Sequence, residues 1–179
     1  SHPPVQTAIL DVMKFWLERG VDGFRLDVFN CYHKNMNYPN NPFKWGFLSI
    51  LARAAYPYLS YKHIYCRDQP QMFYTLSEMR KLCDSFDALL LGETLDEQLR
   101  YDNAAQYCGE NKLHMAFHFR RLHSKWNAVS FQNAIRSWID SLPTDGWPTW
   151  VVSNHDFVRH TTRWQGRNDQ ETDQKMKII

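Results

Sequence analysis

No stretch of this sequence approaches the about eighteen consecutive apolar side chains that a membrane-spanning helix needs, so no membrane partner is expected. Like-charge blocks are missing too. The 21 basic and 19 acidic residues are spread along the chain and leave a formal charge of +2, which supplies neither the basic stripe of a nucleic-acid binder nor the basic face of a membrane-surface helix. No Gly-rich phosphate loop follows any strand-like run, which argues against a doubly wound nucleotide-binding domain. Cysteine is sparse: Cys31, Cys66, Cys83 and Cys108 are far apart, form no C-x-x-C, and lack zinc-ligand spacing. Reduced thiols are expected in a chain of 179 residues, which can fold without staples. Ser1-His2-Pro3-Pro4 is not a charged signal-peptide start, and the cytoplasm is the expected location although no signal assigns it.

What is present is an alternation of helix and strand. Val5, Ile9, Val12 and Trp16, with Phe15 beside them, recur at three- and four-residue steps between two prolines and Gly20, which predicts an amphipathic helix over 5–19. Val21 to Asp27 reads as a strand with Phe24 and Leu26 on one side and Arg25 and Asp27 on the other. The pattern then repeats. Met72, Phe73, Leu76, Met79 and Cys83 form a helical stripe, and Ala88-Leu89-Leu90-Leu91 is a continuous apolar run typical of a parallel strand buried on both faces. Leu95 to Tyr107 reads as helical and Leu113 to Phe119 as a strand. Phe131 to Leu142 reads as a helix with Phe131, Ile135, Trp138, Ile139 and Leu142 inward and Ser130 as its cap. Trp150 to Ser153 closes the series as a strand. The fold class is therefore α/β, and length alone leaves an open sheet and a closed barrel both possible.

One interruption breaks the alternation. Residues 29–70 form a long loop crowded with aromatic side chains, among them Tyr32, Tyr38, Phe43, Trp45, Phe47, Tyr61 and Tyr65. Loops of that length are usually functional or disordered, and this composition opposes disorder. Its rings either pack the loop down or stack on sugar faces.

Three acidic residues end three of the strand-like runs: Asp27, Glu93 and Asp156. If the runs are neighbouring parallel strands, the carboxylates emerge at one rim, and a carboxylate cluster is what glycosidic bond cleavage requires. Arg25 lies two residues before Asp27 on the same side, which would keep that carboxylate charged and aimed. Any one such acid alone is as well explained as a helix cap; three in the same register are not.

Gly23-Phe24-Arg25-Leu26-Asp27-Val28, Leu91-Gly92-Glu93 and Ser153-Asn154-His155-Asp156 resemble three signature segments of the α-amylase family of glycoside hydrolases, in the right order. The segments around Leu113-His114-Met115-Ala116, and from Gly146-Trp147-Pro148 to Trp164, are similar to bacterial α-glucosidases and oligo-1,6-glucosidases. The resemblance covers nearly the whole chain. It implies part of a (β/α)8 barrel, about strands 4 to 7 with their helices, as one partial catalytic domain over 1–179 truncated at both ends, with 29–70 a loop inside it. It further implies Asp27 as nucleophile, Glu93 as general acid and base, and Asp156 as the third carboxylate. Arg25 would orient Asp27, and His155 and Arg159 would contact sugar hydroxyls. Val28 after the nucleophile is similar to relatives favouring α-1,6 links, so the implied partner is a short α-1,4- or α-1,6-linked glucoside.

The implied retaining mechanism requires no cofactor and no metal ligand in this stretch. The family's calcium loop would precede Ser1, and the His that joins a calcium site in many amylases is replaced here by Phe29-Asn30-Cys31. Rival readings are a transglycosylating or isomerising relative, such as a sucrose isomerase or trehalose synthase, and a non-catalytic amylase-like interaction module. The oligomeric state is left open. A partial barrel has two unpaired sheet edges. Residues 1–179 expressed alone are therefore expected to be inactive and poorly soluble in a size-exclusion and turnover assay; an active monomer would contradict this.

Overall fold

The computed structural model describes residues 2–47, 49–50, 57–94, 104–119 and 124–178. They divide into two compact units, Ser1–Leu95 and Asp96–Ile179.

In the first unit, helix α1 runs Pro3–Leu17 with proline in its first turn, where a missing N–H costs nothing. Strand β1 follows at Gly23–Leu26, helix α2 at Gln71–Asp84 and strand β2 at Leu89–Gly92. The two strands are parallel, with Gly23 opposite Leu89 and Leu26 opposite Gly92. This is the helix–strand alternation that the sequence periodicity predicts. Met72, Leu76, Met79 and Cys83 of α2 are buried, four of the five residues in its predicted stripe. Leu90 is fully buried, whereas Leu89 is 39% exposed, so the β2 run is not covered on both faces within this unit.

The face of α1 differs from the expectation. Val5, Ile9, Val12, Phe15 and Trp16 are all exposed, and the residues turned inward are Met13 and Leu17 at 4% each. The helix carries two apolar stripes at the same spacing. Periodicity cannot choose between them; packing against α2 does.

Residues 29–70 are folded against themselves where described. A 3-10 turn covers Phe29–Cys31 and another Pro57–Ser60, and Phe43 bridges Tyr61 in antiparallel fashion. Asn35 N–H donates to Tyr65 O at 2.8 Å and Tyr65 N–H to Asn41 Oδ1 at 3.0 Å. His33, 4% exposed, meets Thr75 Oγ1 of α2 at 2.7 Å and fastens the loop to the helix. Phe29 is fully buried, while Trp45 and Phe47 are 88% and 76% exposed. The rings of this segment therefore divide between buried and solvent-facing positions.

In the second unit, most of the predicted helix over 95–107 falls outside the described residues. The predicted strand over 113–119 is reduced to β3, Met115–Ala116. Helix α3 spans Ala128–Ser141 and is capped by Asn127, not Ser130: the Asn127 side chain accepts from Ser130 N–H at 2.8 Å. Of its predicted stripe Trp138 is buried, together with Ala134, but Ile139 is 51% exposed. His118 stacks on Trp138 with ring centroids 4.7 Å apart, and burial lowers its imidazole to about 4, so it is neutral near pH 7. No strand is found over 150–153 among the described residues. Two short helices follow, α4 at His160–Arg163 and α5 at Asp169–Met176. No described helix is long and apolar enough to cross a membrane, and all four cysteines are free thiols.

Gly23 sets the distance between β1 and β2. A Cβ there would lie 2.4 Å from Leu89 O and 2.9 Å from Leu89 N, both backbone atoms that cannot move aside. Gly23→Ala is expected to cost about 1–3 kcal/mol by the overpacking rule, read from the urea midpoint; an unchanged midpoint would contradict the close approach.

Candidate active site

Strand alternation decides which side chains leave β1 together. Leu26 turns into the core at 8% exposure, so Arg25 and Asp27 project to the other side. The parallel register then brings Glu93, the residue after β2, level with the end of β1: Glu93 N–H donates to Leu26 O at 2.9 Å. A second backbone bond completes the junction, from Phe29 N–H to Glu93 O at 3.1 Å.

Into this junction Arg25 places its guanidinium. Nη1 pairs with Asp27 Oδ1, and Nη2 donates to Glu93 Oε2 at 2.5 Å. One planar cation thus holds both carboxylates, each on its own nitrogen. Their settings differ sharply: the Asp27 side chain is 69% exposed and that of Glu93 8%. Tyr32 stands close by; burial first, and the Asp27 charge second, push its phenol above the ordinary value, with Arg25 opposing. The sequence expectation joined Arg25 to Asp27 alone. Its second bond, to Glu93, was not foreseen, because the two are 68 positions apart.

The turn between these residues is unusual. Val28 has φ 41° and ψ 41°, the left-handed region, which a β-branched residue occupies at a cost of about 1–3 kcal/mol. Its C=O accepts from Cys31 N–H at 3.0 Å, starting the 3-10 turn. Asn30, fully buried, donates through Nδ2 to Asp68 Oδ1 at 3.0 Å and accepts from Asp68 N–H at 2.8 Å. Both ends of the long loop are thereby stitched beside Asp27. No motif marked Asn30 or Asp68 in advance.

Asp156, His155 and Arg159 lie in the second unit, where Asp156 and His155 form a local group with Asn154. Asn154 and Asp156 exchange two bonds: Asp156 N–H to Asn154 Oδ1 at 3.1 Å, and Asn154 Nδ2 to Asp156 Oδ2 at 3.4 Å. His155 Nε2 is 3.6 Å from Asp156 Oδ1, and both side chains are well exposed, at 76% and 61%. Arg159 precedes α4 and is exposed. Arg163 pins the segment from behind, with Nε on Val158 O at 3.0 Å and Nη2 on Val152 O at 2.5 Å. This carbonyl-bound arginine takes over from the missing strand in holding residues 152–158. Among the described residues no three His, Cys, Asp or Glu side chains gather to hold a metal ion.

A family model described as alpha amylase, catalytic domain, matches residues 1–179. A probable alpha-glucosidase of Rhizobium meliloti (strain 1021) is 36% identical over 181 residues, covering 98% of this chain and 33% of that protein. An oligo-1,6-glucosidase of Heyndrickxia coagulans is 25% identical, covering 92% of this chain and 30% of its own length. Among solved structures, an alpha-glucosyl transfer enzyme, XgtA, aligns with a TM-score of 0.79 and 34% identity over 93% of this chain and 31% of that one. The chain thus spans about a third of the length of the relatives it matches.

The bridging guanidinium has a measurable consequence. Arg25→Met removes both ion pairs beside the nearly buried Glu93 carboxyl and is expected to cost about 1–3 kcal/mol in urea unfolding, with Arg25→Lys recovering only part. A Met variant as stable as the parent would show that the bridge contributes nothing.

Proposed function

Because the chain belongs to the α-amylase family of catalytic domains, matched over residues 1–179, we propose that it carries the catalytic carboxylates of a retaining α-glucoside hydrolase acting on short α-1,4- or α-1,6-linked glucosides. The parallel β1–β2 pair with α1 and α2 is a segment of that family's (β/α)8 barrel. In such barrels the reacting groups stand at the C-terminal ends of the strands, which is where Asp27 and Glu93 stand here.

The observation that carries the reading is the arginine fork. Two carboxyls held by one guanidinium are close enough to serve one anomeric carbon, and retaining glycosidases need them about 5–5.5 Å apart. Exposure divides the labour. Asp27, open to solvent, suits the nucleophile; Glu93, paired to the same cation but sheltered, suits the proton donor. In the first step an Asp27 oxygen bonds to the anomeric carbon, the glycosidic C–O bond breaks, and the Glu93 proton goes to the departing oxygen. In the second, Glu93 takes a proton from water, whose oxygen bonds to the anomeric carbon and frees Asp27.

The family match over residues 1–179 also supports reading Asp156 as the third carboxylate, a group that grips ring hydroxyls. His155 and Arg159 add hydroxyl contacts in the same subsite. The chemistry uses carboxyls and water alone, so no organic cofactor enters it. A second reading has support from the 34% identity to an alpha-glucosyl transfer enzyme: the glucosyl-enzyme is released to a sugar hydroxyl in place of water. A purely structural role is disfavoured because the carboxylates that a non-catalytic relative loses are in place.

In the full-length protein, Asp27→Asn and Glu93→Gln are each expected to lower turnover of a chromogenic α-glucoside by several orders of magnitude. Near-parental activity in either would reject its role. Chromatography of the products from maltose and from isomaltose separates hydrolysis from transfer, and faster isomaltose cleavage is expected from Val28.

A further inference from the structure

The long loop is stitched at its base to the residue that follows the proposed nucleophile. Asn30 and Asp68, 38 positions apart, share a side-chain bond of 3.0 Å and a backbone bond of 2.8 Å. Asn30 and Phe29 are both fully buried, so the chain leaving Val28 is fixed in place. Val28 itself is strained at φ 41°. Such strain persists only where the surroundings over-determine it. The left-handed turn also decides where Phe29 N–H points, and that group donates to Glu93 O at 3.1 Å. On the other side Glu93 N–H donates to Leu26 O at 2.9 Å. Asp27 sits between these two backbone links.

We propose that the Asn30–Asp68 pair is a positioning latch: it holds Val28 in the left-handed conformation and through that turn sets the spacing of Asp27 and Glu93. The inference rests on the reading of those two residues as nucleophile and acid. In this role Asn30 acts through the backbone of residue 28. Without the latch, a valine at this position relaxes toward the β region it prefers, carrying the Phe29 N–H off Glu93 and turning the Asp27 end of β1. A glycine at position 28 has no such bias, because it occupies the left-handed region as readily as the right.

This makes a double-mutant cycle decisive. In the full-length protein, with a chromogenic α-glucoside, Asn30→Ala is expected to lower kcat by about tenfold or more, since small misplacements of reacting groups are costly, with little change in KM. In a Val28→Gly background, the same Asn30→Ala change is expected to cost less than about threefold. Glycine at 28 cannot restore a hydrogen bond at 30, so a merely structural role for Asn30 would give the same loss in both backgrounds. Asp68→Ala removes the bond from its half-buried end and should repeat the pattern where Asn30→Ala fails to accumulate. Equal losses in the two backgrounds, or parental kcat on breaking the latch from either end, would overturn the proposal. Asp27→Asn, assayed alongside, separates the two layers: if it retains activity, the nucleophile reading falls and the latch with it, whereas an inactive Asp27→Asn beside equal losses sinks the latch alone.

Discussion

A single guanidinium between two carboxylates is the constraint around which the first unit is arranged. Arg25 reaches Asp27 along its own strand and Glu93 across the sheet, and it can do so only because β1 and β2 are parallel and in register. The glycine at position 23 lets the strands approach, and Leu26, turned into the core, sends its neighbours to the open side. The shared guanidinium holds the two carboxyls side by side. For the proposed chemistry this yields an exposed carboxylate and a sheltered one at fixed separation, before any sugar arrives.

The long loop is the second element of the design. Its base is tied beside Asp27 by Asn30 and Asp68, and His33 fastens it to α2, while its exposed Trp45 and Phe47 face solvent. A loop anchored so near the carboxylates can shape their surroundings without contributing a reacting group. Its strained turn at Val28 is where loop and strand meet.

Local patterns were legible in the sequence because they depend on period alone. The α2 stripe of Met72, Leu76, Met79 and Cys83, and the alternation of Phe24 and Leu26 against Arg25 and Asp27, follow from the helical and strand repeats. The inward face of α1 was not legible, since two apolar stripes with equal spacing offered themselves and tertiary packing chose Met13 and Leu17. The strand expected over 150–153 has its run of apolar residues, yet no ladder forms there among the described residues, and Arg163 binds the Val152 carbonyl within it. Contacts between distant positions leave no periodic trace, so Arg25 with Glu93, and Asn30 with Asp68, were invisible. The acids themselves were found only because three strand-like runs ended alike and matched a known family's segments.

The most direct test of the central claim is to trap the covalent glucosyl-enzyme. Full-length protein carrying Glu93→Gln, which slows release, is mixed with an activated α-glucoside, quenched in acid and digested for peptide mass spectrometry. The added hexose is expected on the carboxyl of Asp27. A hexose found on another residue, or none despite turnover of the activated substrate, would contradict the pairing of nucleophile and acid around Arg25.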